Sequence, residues 1–256
     1  MNVTFLGTGT SQGVPVPMCD CKVCTSNDFR DQRLRTSVYV EHKNVNIVID
    51  TGPDFRQQLL REKITQIDGI LFTHGHHDHI SGLDDVRCFN FKYKRSMAIY
   101  ASKSVEKRLR QVFSYIFASL KYPGAPQVHM TRIKNQIFQV KGLKITPINV
   151  HHGQLPILGF RIGDFTYLTD TSSIPESEDE KIYGSKVIVL DALRQTPHPT
   201  HLHLQDSIKV IEKYQPEKAY FIHMSHQMGL HKEVEENLPP NMYLAYDGLK
   251  IQVQES

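Results

Sequence analysis

Short apolar runs bounded by turn residues recur along this chain, and they predict strands. The first covers residues 3–6 and runs into a glycine-rich turn at 7–13. Residues 37–42 and 45–50 predict a hairpin through Lys43-Asn44, with the second, more apolar strand internal. Further strands are predicted at 69–72, at 99–100, and at 137–140 and 143–150 on either side of Lys141-Gly142. Residues 158–162 and 165–168 predict a second hairpin through Gly163-Asp164. Strands at 187–190 and 218–222 follow, and 242–246 and 249–253 close the chain, joined at Asp247-Gly248.

Helical spacing marks fewer segments. Pro53 can open a helix with Phe55, Leu59 and Leu60 on its apolar face, because the first helical residue needs no amide. Residues 82–87 begin another. Val105, Leu109, Val112, Phe113, Ile116, Phe117 and Leu120 predict one broad apolar helical face, with Lys103, Lys107, Arg108 and Arg110 on its solvated side. A fourth helix is predicted at 206–214, with Ile208 and Ile211 inward, while 25–35 and 172–185 read as polar loops. No fixed-period repeat is present. Strands, ligand-bearing loops and helices recur in each half, which predicts two sheet-and-helix halves facing each other in a single domain spanning 1–256.

Composition narrows the class. The 256 residues are 39% hydrophobic and 22% charged, as in an ordinary folded protein able to bury a large core. A net charge of +3 argues against an electrostatically driven nucleic-acid binder. Residues 1–6 read as a strand rather than a leader, and no apolar run is long enough for a membrane span, so the expected compartment is the cytoplasm. The turn at 7–13 has neither the Gly-Lys-Ser/Thr ending of a phosphate loop nor a dinucleotide fingerprint, and reads as a turn beneath a metal site. Three of the four cysteines lie within six residues, a spacing that suits a metal better than a disulfide framework; Cys88 stands alone and reads as a small buried apolar residue.

The densest chemistry is Thr73-His74-Gly75-His76-His77-Asp78-His79, on a loop leaving the strand at 69–72. Neutral imidazoles and carboxylates suit zinc or another borderline divalent ion. His152, Asp170 and His223 stand at the ends of other predicted strands, and such convergence favours a shared cleft. Cys19-x-Cys21-x2-Cys24 offers three thiolates, and a tetrahedral Cys3His site needs one more ligand. Residues 90–95 mix aromatic and basic side chains suited to a substrate mouth, and His198, His201 and His203 share a polar loop.

The His74-x-His76-x-Asp78-His79 motif, with the run to Leu83, resembles that of the metallo-beta-lactamase superfamily. The resemblance spans nearly the whole chain. It implies an α/β fold, the αββα four-layer sandwich, with two mixed sheets face to face and helices outside. Within the superfamily the chain most resembles the phosphoribosyl cyclic phosphodiesterases of phosphonate catabolism and their relatives. The cysteine segment, His223-Met224-Ser225-His226 and His201 carry that narrower likeness.

The resemblance implies two divalent ions, zinc first and manganese as the alternative. His74, His76 and His152 would hold one, Asp78, His79 and His223 the other, and Asp170 would bridge them. His152 is preferred to His151 because it directly precedes Gly153. A further structural zinc would join Cys19, Cys21, Cys24 and His226. A hydroxide activated by the two ions would attack a small phosphodiester, with a cyclic, phosphorylated one implied by the narrower likeness. His201 would be the general acid, and Asp78 a ligand with a secondary catalytic role in proton transfer. Arg87, Lys92 and Lys94 are candidate contacts for a second phosphate of the substrate. A homodimer is expected, a membrane partner is not, and nucleic acid is the less favoured partner. The alternatives are a ribonuclease-Z-like nuclease and a noncatalytic zinc-binding scaffold.

Overall fold

The computed structural model describes residues 1–254; the final two residues of the expected domain lie outside the described residues. Its strands are β1 (Asn2–Gly7), β2 (Ser37–His42), β3 (Val45–Ile49), β4 (Gly69–Leu71), β5 (Met97–Ala101), β6 (Val128–Arg132), β7 (Phe138–Val140), β8 (Leu143–His152), β9 (Leu155–Ile162), β10 (Phe165–Tyr167), β11 (Val187–Asp191), β12 (Lys218–Ile222), β13 (Met242–Leu244) and β14 (Lys250–Gln252). They form two seven-stranded sheets, in the orders β14-β1-β2-β3-β4-β5-β6 and β13-β12-β11-β10-β9-β8-β7. Each sheet is mixed. Pairing is antiparallel from β14 to β3 and parallel from β3 to β6 in the first. It is antiparallel from β7 to β10 and parallel from β10 to β13 in the second.

Alternation along the strands explains the layering. In β3, Val45, Ile47 and Ile49 enter the core between the sheets, while Val48 enters a second core on the outer side. In β11, Val187 and Val189 face inward and Ile188 and Leu190 enter a third core. A strand with period-two side chains and apolar residues on both faces must be covered on both faces. The outer cores supply that cover. Phe55, Val86, Phe89, Val105 and Leu109 lie over the first sheet, and Ile182, Leu204, Ile208 and Ile211 over the second. The result is the expected αββα sandwich.

The helices are α1 (Phe55–Arg61), α2 (His77–Ile80), α3 (Arg87–Tyr93), α4 (Lys103–Val112), α5 (Ser114–Phe117), α6 (Asp179–Ile182), α7 (Leu204–Tyr214) and α8 (His231–Glu235). Several differ from the sequence reading. The predicted continuous face from 105 to 120 is broken at Phe113 (φ −115°, ψ 45°), and Leu120 is exposed, so local backbone geometry overrides the periodicity. Leu60 is exposed on α1. Cys88 is also exposed; its place on α3 turns it outward, where its thiol donates to the Asp85 carbonyl. Strand β6 and helices α6 and α8 were not foreseen, because their short segments mix polar and apolar residues without a clean period. The strands flanking Asp247-Gly248 belong to different sheets, so that turn carries the chain across the sandwich. Among the described residues, no helix is long and apolar enough to cross a membrane.

Candidate metal centre

The candidate ligands stand where strands end at one edge of the sandwich. The loop after β4 carries His74 and His76 and runs into α2 with Asp78 and His79; β8 ends on His152. Asp170 follows β10 and His223 follows β12. Asp170 and His223 both have φ of 56°, and Asp50 beyond β3 has φ of 62°. Left-handed backbone is sparsely populated by residues other than glycine and costs about 1 kcal/mol or more. At each position it turns a polar side chain out of the strand direction into the cluster.

Two groups of four result. Ligand atoms of His74, His76, His152 and Asp170 lie within 4.8 Å of one another, as do those of Asp78, His79, Asp170 and His223. Asp170 is common to both. Its Oδ1 is 3.2 Å from His79 Nε2, and its Oδ2 is 3.3 Å from His223 Nε2 and 3.8 Å from His74 Nε2. Asp78 Oδ2 is 3.2 Å from His79 Nε2 and 3.5 Å from His223 Nε2.

For His74, His79 and His152 the opposite ring nitrogen is already engaged, whereas both ring nitrogens of buried His223 lack a hydrogen-bond partner. His79 Nδ1 donates to Asp50 at 2.7 Å, and His152 Nδ1 to the Thr200 carbonyl at 2.8 Å. The Thr73 hydroxyl donates to Asp50 at 2.7 Å, which leaves its oxygen to accept from His74 Nδ1 at 3.0 Å. The tautomers so assigned leave lone pairs on Nε2. The Nε2 atoms of His74, His79 and His223 are buried with no hydrogen-bond partner. Orphaned polar atoms of this kind are rare, and orienting bonds behind metal-binding histidines are the rule. The residues therefore fit divalent ions.

A second cluster lies beyond β12. His226 Nδ1 is 3.1, 3.4 and 3.5 Å from the thiols of Cys19, Cys21 and Cys24. Amides of Val16 and Cys24 donate to the Cys24 and Cys21 sulfurs. Three sulfurs and one imidazole nitrogen at these separations suit a tetrahedral zinc.

Comparison with known proteins decides the family. The beta-lactamase superfamily domain matches residues 45–224. The chain belongs to the metallo-beta-lactamase superfamily. Within that superfamily it is related to the PhnP family: a crystal structure described as a new diphosphatase from that family is 44% identical, with a TM-score of 0.92, covering 99% of this chain and 98% of that one. The Zn(2+)-bound PqqB of Methylobacterium extorquens shares the fold at 18% identity, with a TM-score of 0.76 over 99% of this chain and all of that one. A protein named octanoyltransferase from Porphyromonas gingivalis is 38% identical over the whole of this chain, which spans only 52% of that relative's length. Superfamily membership and the His/Asp cluster support a metal-dependent hydrolase.

The superfamily motif is electrostatically demanding. Burial disfavours charge on His74, and neighbouring His79 adds to this, so its pKa lies well below the ordinary value. Burial acts likewise on His79, but Asp170, Asp78 and Asp50 outweigh it and raise its pKa well above. Burial opposes the Asp170 carboxylate, yet His223, His79 and His74 hold its pKa well below the usual range. Three buried carboxylates thus compete for few protons, and a dication answers that imbalance.

His201 sits over both groups. Its ring is 4.5 Å from that of His152 and stacks at 5.0 Å on His223. Its Nδ1 lies 3.5 Å from Asp191 Oδ2, and both atoms are buried without a hydrogen bond. Asp191 and Asp50 were not singled out as site residues from the sequence. The signal was a carboxylate closing an apolar strand, which recurs at Asp50, Asp170 and Asp191.

Arg87, Lys92 and Lys94 are not brought to the metal cleft. Arg87 pairs with Asp84 at 2.7 Å and lines a separate depression with Arg56 and Phe91. Lys92 lies over the Tyr93 ring, and Lys94 is the left-handed cap of α3. The reason is the helix: α3 packs Phe89 into the outer core, and its basic residues point elsewhere. The cleft beside the metal loop, about 480 Å³, is lined instead by Ser104 and Arg108 of α4 and by Leu155 and Pro156.

Gly52 shows how closely the motif is held. A Cβ there would lie 2.2 Å from the Asp78 carbonyl oxygen, a backbone atom with nowhere to move. Gly52→Ala is expected to destabilise the protein by about 3 kcal/mol, since overpacking against backbone must displace α2. Chemical denaturation and metal content check this; unchanged values of both would show that the loop yields freely.

Proposed function

We propose that this chain is a metal-dependent hydrolase that cleaves a phosphorus–oxygen bond in a small phosphodiester or diphosphate. The observation that carries the reading is the pair of four-residue groups sharing Asp170 beneath one histidine, His201. His74, His76 and His152 would hold one divalent ion, Asp78, His79 and His223 the other, with zinc first and manganese as the alternative. When bound, such ions neutralise phosphate oxygens and make water acidic enough to react near neutral pH. Asp170 holds the two positions together. His201 is placed to protonate the departing oxygen, and the Asp191 carboxylate, 3.5 Å from its Nδ1, would stabilise a charged ring. Cys19, Cys21, Cys24 and His226 would bind a zinc that fixes the segment carrying His223.

The PhnP-family diphosphatase, 44% identical over nearly the whole chain, supports phosphorus chemistry. The reaction named for the Porphyromonas gingivalis relative belongs to a protein about twice this length, so it bears on this chain only through the matched half. The test is a substrate panel on metal-reconstituted protein: a cyclic ribose phosphodiester, a dinucleoside diphosphate, 3′-extended RNA, a thioester and a β-lactam. Turnover of the small phosphorus substrates is expected, with loss in His76→Ala. Faster cleavage of RNA would favour a ribonuclease-Z-like enzyme. Full metal content without hydrolysis of any substrate would mark a zinc-binding scaffold.

A further inference from the structure

We propose that Arg108 is a specificity-determining residue that holds a second, non-reacting phosphate of the substrate. The proposal rests on the reading of the site as a phosphohydrolase and adds a residue and a direction to it.

Gly75 lies between the candidate ligands His74 and His76. A Cβ at that position would lie 3.0 Å from Arg108 Cγ and 3.1 Å from Arg108 Cβ. The arginine stem therefore lies against the metal loop itself, and glycine makes the space for it. An arginine whose stem is packed presents its guanidinium from a defined base. Ser104 and Arg108 are four residues apart on α4 and share one helical face, which is the wall of the cleft containing His74, His76 and Asp78.

Neighbouring arginines are already paired, and Arg108, among the described residues, is not. Arg110 and Arg132 are both committed to Glu106, at 2.9 and 2.8 Å. Among the described residues, Arg108 has no ion pair or hydrogen bond, although it is exposed at the edge of a cluster containing three carboxylates. Lys103, Lys107 and Lys134 line an adjoining cavity of about 1110 Å³ that shares Ser104 with the cleft. Basic side chains gather on this side of the candidate ligands, and among the described residues Arg108 is the Lys or Arg that lines their cleft. A guanidinium fork matches the oxygens of a phosphate monoester, which an ammonium binds only as a point charge. Leu155 and Pro156, also lining the cleft, are apolar and suit the sugar or carbon frame joining the two phosphates.

The test compares two substrates that differ only in the second phosphate: a ribose cyclic phosphodiester with and without a 5-phosphate. In the metal-loaded wild type, the phosphorylated diester should have the higher kcat/KM. In Arg108→Ala that preference should fall at least tenfold, mainly through KM, and Arg108→Lys should restore part of it. An unchanged preference would overturn the assignment. So would an equal fall on both diesters, since that places Arg108 on the reacting phosphate or in a structural role. A direct titration separates this failure from failure of the functional reading. Ribose 5-phosphate should bind metal-loaded Arg108→Ala at least tenfold more weakly than wild type, whether or not either diester is hydrolysed. Equal affinity would sink the proposal, and absence of turnover in the wild type would sink only the reading of the reaction.

Discussion

Asp170→Ala is expected to strip metal from both groups at once and to lower turnover by about a thousandfold or more, the equivalent of about 4 kcal/mol in transition-state stabilisation. The reason is its position. Asp170 is the one carboxylate common to both groups, buried, with each oxygen within 3.3 Å of a different imidazole. Removing any histidine weakens one group. Removing Asp170 takes a ligand from each and leaves three buried imidazoles without their counter-charge. Asp170→Asn keeps the shape but not the charge, so it should resemble Ala in metal content while folding better. Elemental analysis beside turnover decides: full metal content with wild-type rates in Asp170→Ala would refute the shared-ligand arrangement.

The same residue predicts a pH signature for the metal-free protein. Asp170 has a depressed pKa when folded, so its contribution to stability is present above its unfolded value of about 4 and is lost as pH falls through the folded value. His79 has a raised pKa, so its contribution is complete below about 6.5 and is lost as pH rises through the folded value. The stability difference between wild type and Asp170→Asn should therefore be greatest between about pH 4 and 6.5. A difference that grew steadily toward alkaline pH would contradict the pairing.

Cys21→Ser is expected to remove one equivalent of zinc and to lower the melting temperature by about 10 °C. Metal binding at such a site is folding free energy, and a loss of about 4 kcal/mol corresponds to that shift for a chain of this size. Cys21 is the strongest choice because the Cys24 amide donates to its sulfur and draws its pKa down to about 6, so its thiolate prevails at neutral pH. The effect should reach the reaction. His226 is three residues past His223, and neighbouring Gln227 accepts from Arg194, which braces the loop leading to His201. Turnover should fall with stability, whereas the metal content of the His/Asp cluster should fall less. If both zinc content and melting temperature matched the wild type, the cysteine cluster would not be a zinc site.

The sequence by itself determined the metal chemistry and the class of fold. The spacing from His74 to His79 is local, so the ligands reach one site through a single loop, and their residue types select a divalent ion. The apolar strand 187–190 called for cover on both faces, and the motif from His74 to Leu83, through the family it resembles, implied the four-layer sandwich. Three cysteines within six residues named most of the second site for the same local reason. What only the tertiary structure decided was everything set by convergence of distant segments. Asp50 and Asp191 look like ordinary strand ends until folding places one behind His79 and the other behind His201. Arg108 looks like a solvated helix residue, yet α4 lays its stem on Gly75 and so beside the candidate metal ligands. Arg87, Lys92 and Lys94 have suitable charge, but α3 is oriented by burial of Phe89, and that packing turns them away. Ligand type is a property of residues, whereas direction is a property of the cores those residues sit on, and no local pattern encodes it.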